Sequence, residues 1–249
     1  KNLVLFSTGS LYLEEVTTCF ELAAQAGFDG MEILIDNRWT TRNPVKLNRL
    51  SQAHHLPIMA VHNPFFTNIP DWPSSSRPME ILQASVNLAK QVGAQVVVLH
   101  LPARIGGRVM IVPGRTFVRP RLKNPDHALA KAIQNGLLKR METASGVKIC
   151  VENMPQRNVL WWKSLYRWNT PARWQQVHDT LTFDSTHWGT WNMEPVDVFQ
   201  QVKDQVRHIH LSNFNGKEHQ LPMEGHLHLD RLLQAVAQTE QTISVTLEV

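Results

Sequence analysis

Eight short apolar segments, separated by stretches of helical periodicity, constrain the fold of this chain more than any other feature. Most are rich in Val, Ile and Leu at consecutive positions, as in QVVVLH at 95–100 and VKICVE at 147–152. Strands that are apolar on both faces belong to parallel sheets covered by helices. The stretches between them, such as 13–27, 44–55 and 77–94, repeat apolar residues every three or four positions, which predicts crossover helices.

Eight such strands in 249 residues favour a closed (β/α)8 TIM barrel, in the α/β class, over an open sheet. The sequence has neither a glycine-rich dinucleotide fingerprint nor a P-loop, which argues against an open nucleotide-binding fold. We therefore predict one domain over residues 1–249, with no eighth helix within that range. Three long strand-to-helix connections, 101–124, 153–170 and 212–228, should be irregular and stand over the same face of the barrel.

Composition limits the setting of the protein. No apolar run approaches the roughly 20 residues that cross a bilayer, and no signal peptide is visible, so we expect no membrane association. Cys19 and Cys150 lie in apolar contexts, as reduced core residues do, which favours a cytoplasmic location. The net charge of +4 is compatible with phosphate-bearing substrates or nucleic acid and establishes neither.

Six polar side chains stand at or next to the ends of predicted strands three to eight. Asp184, in LTFDSTHWG, is one of them, and a carboxylate there is either a surface turn residue or faces a charged partner. In a parallel barrel the strand ends meet at one mouth, where such folds carry their chemistry. His, Asp and Glu without Lys or Arg are the residues that bind a divalent cation. The six candidates are His62, His100, Glu152, Asp184, His210 and Glu248.

Three carboxylates and one imidazole, from Glu152, Asp184, His210 and Glu248, suffice for one ion. Zn²⁺ and Mn²⁺ are our first expectations and Mg²⁺ and Co²⁺ the second. His62 and His100 lie on adjacent predicted strands and, with Glu152 as a bridge, form a candidate second site. His187 and His219 are candidates for a third ion or for substrate contacts. His62, His100 and Trp188 are further candidate substrate contacts, whereas His208 should lie one layer deeper in a structural role.

Two loops near the predicted mouth are chemically distinctive. Residues 101–124 carry Arg104 and five further cations, which form either a solvated surface or a grip on phosphate. The segment LWWKSLYRW, at 160–168, contains Trp161, Trp162 and Trp168. These aromatics predict a lid buried against the barrel, with sugar stacking or base wedging as the alternative.

The ordered set of AGFDGMEI at 26–33, strand-end Glu152, FDSTH at 183–187, HIHLSN at 208–213 and the terminal LEV resembles the xylose isomerase-like barrels. The resemblance spans nearly the whole chain and implies two kinds of activity. In sugar epimerases of the D-tagatose 3-epimerase type, residues matching Glu152, Asp184, His210 and Glu248 hold one metal. The two glutamates also move a substrate proton, and the residue matching His187 contacts substrate.

In the endonuclease IV branch, nine ligands hold three zinc ions. Eight have matches here: His62, His100, Glu152, Asp184, His187, His210, His219 and Glu248. The ninth, an aspartate, is replaced by Lys217, and its neighbour Glu218 would serve only if the loop shifted. We therefore expect a metal-dependent isomerase or epimerase of a sugar or sugar phosphate, with Glu152 and Glu248 catalytic. The alternatives are a multi-zinc phosphodiesterase acting on nucleic acid or another phosphoester, and a catalytically silent metal- or ligand-binding barrel. The oligomeric state is left open.

Overall fold

In the computed structural model, eight parallel strands close into a barrel, as the sequence predicts. The structure describes residues 2–65, 69–112, 115–120, 124–158 and 163–249, with the backbone alone at 107–112 and 115–120. The strand order around the barrel is β1-β10-β9-β8-β7-β4-β3-β2, and β5 and β6 form a separate antiparallel hairpin. The strands are β1 Leu3–Ser7, β2 Gly30–Leu34, β3 Ile58–His62, β4 Val96–His100, β5 Gly107–Val112, β6 Arg115–Pro120, β7 Lys148–Glu152, β8 Leu181–Asp184, β9 Val206–Leu211 and β10 Ser244–Leu247.

Helices cover the outside of the barrel, and local sequence explains several of their ends. Proline occupies the first turn of α2, α3, α6 and α8, where a missing N–H costs nothing. Gly27 and Gly93 end α1 and α3 with φ of 77° and 76°, a left-handed conformation that favours glycine. The helices are α1 Val16–Ala26, α2 Pro44–His54, α3 Pro78–Val92, α4 Asp126–Gln134, α5 Leu137–Ser145, α6 Pro171–Trp174, α7 Ser185–Thr190, α8 Pro195–Val202 and α9 Leu229–Ala237, with a 3-10 turn at Trp39–Arg42.

Three elements differ from the sequence prediction. Apolar periodicity over 125–146 predicts one helix, but this stretch is broken at Gly136, whose φ of 77° is incompatible with a continuous helix. The connection 101–124, expected to be irregular, contains the hairpin β5–β6. The short helix α7 starts immediately after Asp184, because that carboxylate accepts the backbone N–H of His187 and caps the helix.

The interior of the barrel is apolar at the bottom and polar at the top. Because side chains alternate along a strand, Val96 and Val98 lie beneath His100, and Cys150 lies beneath Glu152. The larger core lies between the barrel and its helices and includes Trp174, Phe183 and Phe199. Both cysteines are free and buried. Among the described residues, no helix is both long and apolar enough to span a bilayer.

Candidate metal centre

The ends of four strands bring three carboxylates around one imidazole. His210 Nδ1 lies 2.9 Å from Glu248 Oε2, 3.1 Å from Glu152 Oε1 and 3.9 Å from Asp184 Oδ2. One ligand atom from each of the four residues lies within 4.8 Å of all the others. The side chains of Glu152, Asp184 and His210 are buried, and that of Glu248 is 17% exposed. Glu248 therefore faces the mouth of the barrel.

Two oxygens in this cluster identify the chemistry that fits. Asp184 Oδ2 and Glu152 Oε2 are buried and accept no hydrogen bond. A buried anionic oxygen without a donor costs several kcal/mol unless a cation compensates it. Because three carboxylates and an imidazole converge without Lys or Arg, the donor set matches a divalent metal ion. These four side chains would hold that ion.

The two remaining predicted strand-end histidines face the other side of Glu152. Glu152 Oε2 lies 3.1 Å from His100 Nε2 and 3.5 Å from His62 Nε2, without an aligned hydrogen bond to either. The two imidazole rings are in edge contact, with centroids 4.9 Å apart. Glu152 thus stands between two ligand sets, as a bridging carboxylate would.

A looser group adjoins the cluster on the side of His187. His187 Nδ1 lies 3.6 Å from Asp184 Oδ1, and the His187 and His219 rings are 5.6 Å apart. Glu218 Oε1 is 3.9 Å from His187 Nε2, so this carboxylate faces the group without the loop shift expected from the sequence. Its other oxygen pairs with Arg157. Lys217, at the position of the missing aspartate, is exposed.

Backbone carbonyls determine which nitrogen two of the histidines present. His62 Nδ1 donates to the carbonyl of Asn63, and His187 Nδ1 donates to the carbonyl of Asn153, both at 2.8 Å. Since a carbonyl only accepts, each ring carries a proton on Nδ1, and in its neutral form Nε2 offers a lone pair to the site. The side-chain amide of Asn153 donates to the backbone carbonyl of Asp184 and accepts the backbone N–H of the same residue. Such outer contacts orient ligands before a metal binds.

Glu32, on β2, is a site residue that the sequence analysis missed. Its buried Oε2 lies 2.7 Å from His208 Nε2 and 3.0 Å from His210 Nε2. Because Nε2 of His210 contacts Glu32, its Nδ1 faces the three carboxylates of the cluster. His208 lies below, held also by Ser244 Oγ at 2.6 Å, in the structural position expected for it. The available signal was the lone charge in the apolar strand GMEIL.

Trp188 does not join the site. Its side chain has no exposed surface and packs in the core, 5.6 Å from Trp174 and 6.4 Å from Phe183 between ring centroids. We therefore drop it from the candidate substrate contacts. Trp161 and Trp162, expected in a lid, lie outside the described residues. Trp168 is partly buried and packs against the main core.

Electrostatics divides the carboxylates into two classes. Burial acts to raise the pKa of Glu152, but the charges of His210 and His100 outweigh it and hold that pKa well below its usual range. In the same way, His210 overrides burial and lowers the pKa of Glu248 to about 2. Burial, followed by the charges of Glu152 and Glu248, raises the pKa of Asp184 well above normal. Burial lowers the pKa of His187 to about 3, which keeps this imidazole neutral.

A cavity of about 220 Å³ opens beside His100. Its wall includes Asn63, Phe65, Asp126 and Tyr166, a mixture of polar groups and aromatic rings. Pockets that combine apolar walls with a few polar groups are typical of small-molecule sites. Its described wall reaches the candidate ligands at His100 and includes none of the four residues of the cluster.

Known proteins share this sequence pattern and this fold. A protein of Mycobacterium leprae, described as uncharacterized, is 26% identical over 265 residues, covering 98% of this chain and 87% of the relative. A D-tagatose 3-epimerase-like protein superposes with a TM-score of 0.69 at 19% identity, covering 99% of this chain and 90% of that one. At these identities, solved structures establish the fold alone.

Two further structures carry different chemistry on the same barrel. The IolI protein, solved with a bound zinc atom, superposes with a TM-score of 0.66 at 18% identity. The superposition covers 99% of this chain and 88% of the IolI chain. A family 2 AP endonuclease of Brucella melitensis superposes with a TM-score of 0.68 at 14% identity, and the superposition covers 100% of this chain and 93% of the endonuclease. The family model described as xylose isomerase-like TIM barrel matches residues 20–249. The chain therefore belongs to the xylose isomerase-like TIM barrel family.

Proposed function

We propose that this protein is a divalent-metal-dependent isomerase or epimerase of a sugar or sugar phosphate, in which Glu152 and Glu248 transfer the proton. One observation carries the proposal. The two carboxylates reach His210 Nδ1 at 3.1 and 2.9 Å from β7 and β10, which are separated in the barrel by two strands. Two bases that approach one point from different strands can remove a proton on one side of a carbon and return it on the other.

The chain supplies the rest of the proton chemistry. The low pKa of both glutamates keeps them ionised, which is the form in which a carboxylate can bind a cation or take a proton. When bound, the metal would supply Lewis acidity, which makes a C–H bond beside a coordinated substrate oxygen acidic enough for a carboxylate. His187 is neutral, with Nε2 free to contact a substrate hydroxyl, and His62 and His100 face the same space. Zn²⁺ or Mn²⁺ suits the mixed donor set, with Mg²⁺ and Co²⁺ as weaker choices.

Exchange of a substrate C–H hydrogen with D₂O tests the proton-transfer pair directly. We expect Glu152→Gln and Glu248→Gln each to slow exchange by about 100-fold or more, measured by NMR on metal-loaded protein with ketohexoses and their phosphates. Glu142→Gln, a buried glutamate on α5, is the matched control and should exchange at the wild-type rate. Metal content measured on the same samples separates loss of the base from loss of the ion. Wild-type exchange rates in both variants would remove the pair from the mechanism.

A second candidate function rests on a separate observation. His62, His100 and Glu152 Oε2 form a ligand set beside the first, as a two-metal hydrolase requires. This favours a phosphodiesterase, and the solved AP endonuclease shares the fold. Two or three zinc ions per chain, with His62→Ala and His100→Ala each releasing one, together with cleavage of abasic DNA, would support the hydrolase. One ion per chain and no cleavage would support the epimerase. A cytoplasmic location stays a prediction to test.

A further inference from the structure

The cavity of about 220 Å³ beside His100 has the size of a small-ligand site. Its described wall comes from residues 63–81, 99–106 and 124–129, together with Tyr166. Drug-sized ligands occupy pockets of roughly 300–1,000 Å³, so this cavity suits a smaller molecule, such as a single sugar unit.

Hydrogen bonds hold the wall of this cavity in place without a ligand. Asp126 Oδ2 accepts the backbone N–H of Ala103 at 2.8 Å, and Asn124 Nδ2 donates to the carbonyl of Ala103 at 2.9 Å. Ala103 also forms an antiparallel bridge with Tyr166, which ties the loop after β4 to the loop after β7. A site whose groups are fixed in advance loses less conformational entropy when a ligand binds.

Three polar side chains of the wall have hydrogen-bonding capacity left for a ligand. Asp126 uses Oδ2 for Ala103, and its Oδ1 accepts no hydrogen bond from the described part of the chain. Asn63 Oδ1 accepts the hydroxyl of Ser85 at 2.8 Å, which leaves the N–H groups of this amide. The hydroxyl of Tyr166 has no hydrogen-bond partner among the described residues. These atoms offer both donors and acceptors, which are what the hydroxyl groups of a ligand require.

The Tyr166 hydroxyl is neutral and lies within electrostatic reach of the metal centre. Burial raises the pKa of Tyr166 to about 12, although the charge of Arg157 opposes the rise. The carboxylates of Glu218, Glu152 and Asp126 add to it. A neutral phenol both donates and accepts, and this one is influenced by a residue of the cluster and by a residue of the cavity wall.

The charges of the described wall disfavour an anionic ligand. The wall contains Asp126 but no Lys, Arg or Glu, and the Nε2 atom of its imidazole, His100, lies 3.1 Å from Glu152 Oε2. Burial raises the pKa of Asp126, even though the N–H of Ala103 acts to lower it. A phosphate group in this cavity would face the Asp126 carboxylate or force it to take up a proton, and either costs binding free energy. An uncharged ligand meets no such penalty.

An aromatic ring covers one side of the cavity. Phe65 lies against His100 with ring centroids 6.3 Å apart and planes at 20°, and 51% of Phe65 is exposed. A ring beside polar groups suits a ligand that carries both C–H faces and hydroxyls, as a sugar does.

We propose that Asp126 and Tyr166 make this cavity selective for an uncharged, hydroxyl-bearing ligand of single-sugar size and against its phosphorylated form. The inference rests on the proposed isomerase function and narrows its substrate class to unphosphorylated sugars. The contact of His100 with Glu152 places the cavity next to the proton-transfer pair. A site built to bond a hydroxyl also rejects analogues that lack it, because its polar atoms are then left unpaired.

Calorimetric titration of the metal-loaded protein with D-fructose and D-tagatose, each with and without a 6-phosphate, tests the selectivity. Wild-type protein should bind each free sugar about tenfold more tightly than its phosphate. Tyr166→Phe removes the hydroxyl, keeps the ring and should weaken both free sugars about tenfold. Asp126→Asn keeps an oxygen for the N–H of Ala103 and should narrow the preference by strengthening the phosphorylated sugars.

Two matched controls should bind as wild type does. Tyr12→Phe changes the second of the two tyrosines, which is 58% exposed. Asp230→Asn changes an exposed acid in the first turn of α9, as Asp126 is in the first turn of α4. Loading the metal centre with Mn²⁺ should also broaden the NMR signals of a bound free sugar, because paramagnetic relaxation falls steeply with distance from the ion.

Four outcomes would overturn the inference. These are phosphorylated sugars that bind as tightly as the free sugars, an unchanged free-sugar affinity in Tyr166→Phe, no binding of either free sugar, and bound sugar whose signals Mn²⁺ does not broaden. The hydrogen-exchange assay separates this inference from the proposed function. Selective free-sugar binding without exchange on any sugar contradicts the isomerase alone. Exchange on phosphorylated sugars that is as fast as on free sugars, and is unaltered in Asp126→Asn, contradicts the selectivity alone.

Discussion

At the scale of single residues, the site depends on which atom each side chain directs inward. Asp184 divides its two oxygens, because Oδ1 accepts the N–H of His187 at 2.7 Å while Oδ2 accepts no hydrogen bond. His210 likewise directs Nε2 to Glu32 and Nδ1 to the carboxylates. The carboxylate of Asp184, at the end of a buried strand, therefore has one role as a helix cap and a second role as a candidate metal ligand. The cap uses one oxygen and leaves the other for a metal.

Glu32→Gln should weaken metal binding about 10- to 100-fold, because the substitution removes the charge that holds His210 Nε2. Competition with a chromophoric zinc chelator measures the affinity. The absorption spectrum of the Co²⁺-loaded protein should also change, since the imidazole is no longer held in place. Glu142→Gln is the control, expected to match wild type in both readouts. An unchanged affinity and an unchanged spectrum in Glu32→Gln would show that Glu32 does not position His210.

At the scale of elements, the closed end of the barrel has its own buried carboxylate. Glu142, on α5, accepts the backbone N–H of Ile149 on β7 at 2.8 Å and the hydroxyl of Thr180, just before β8, at 3.1 Å. Burial acts to raise the pKa of Glu142, but His178 and the N–H of Ile149 outweigh it, so the pKa lies below normal. This residue therefore stabilises the folded state through its ionised form.

Glu142→Gln should lower the free energy of unfolding by about 1 kcal/mol at pH 7, because the charged acceptor becomes neutral. The direction in which this contribution changes with pH follows from the lowered pKa of Glu142. The contribution is complete above the unfolded-state value of roughly 4.3 and is lost as pH falls through the folded-state value. Urea unfolding at pH 7 should show a difference in the free energy of unfolding between the two proteins, and near pH 3 this difference should disappear. If the difference in the free energy of unfolding persisted in acid, the charge of Glu142 would be ruled out as its cause.

Elements were predictable where periodicity decides them, and less so where a local turn does. All eight barrel strands follow from their apolar sequences. Trp188 was misplaced because sequence shows only that it follows His187, whereas in a helix consecutive side chains point about 100° apart. Glu32 was missed because it lies inside β2 instead of at its end. The hairpin had a signal, since Pro-Gly at 113–114 separates two β-prone runs.

At the scale of the whole molecule, charge is arranged in layers along the barrel. An apolar floor that includes Val98 and Cys150 lies below, and a carboxylate and imidazole cluster lies above it. The ends of the strands provide the cluster, so its composition was readable from sequence, whereas the bridge between Ala103 and Tyr166 required the fold. We propose that a metal ion at the centre compensates the two buried carboxylate oxygens that accept no hydrogen bond.

Elemental analysis of the purified protein after dialysis tests the metal centre most directly. We predict at least one tightly bound divalent ion per chain in the wild-type protein. In Asp184→Asn, which keeps an oxygen able to cap α7 but removes the carboxylate, we predict less than about a tenth of that amount. Full metal content in Asp184→Asn, or wild-type protein that retains no divalent ion after loading with zinc or manganese, would contradict the account.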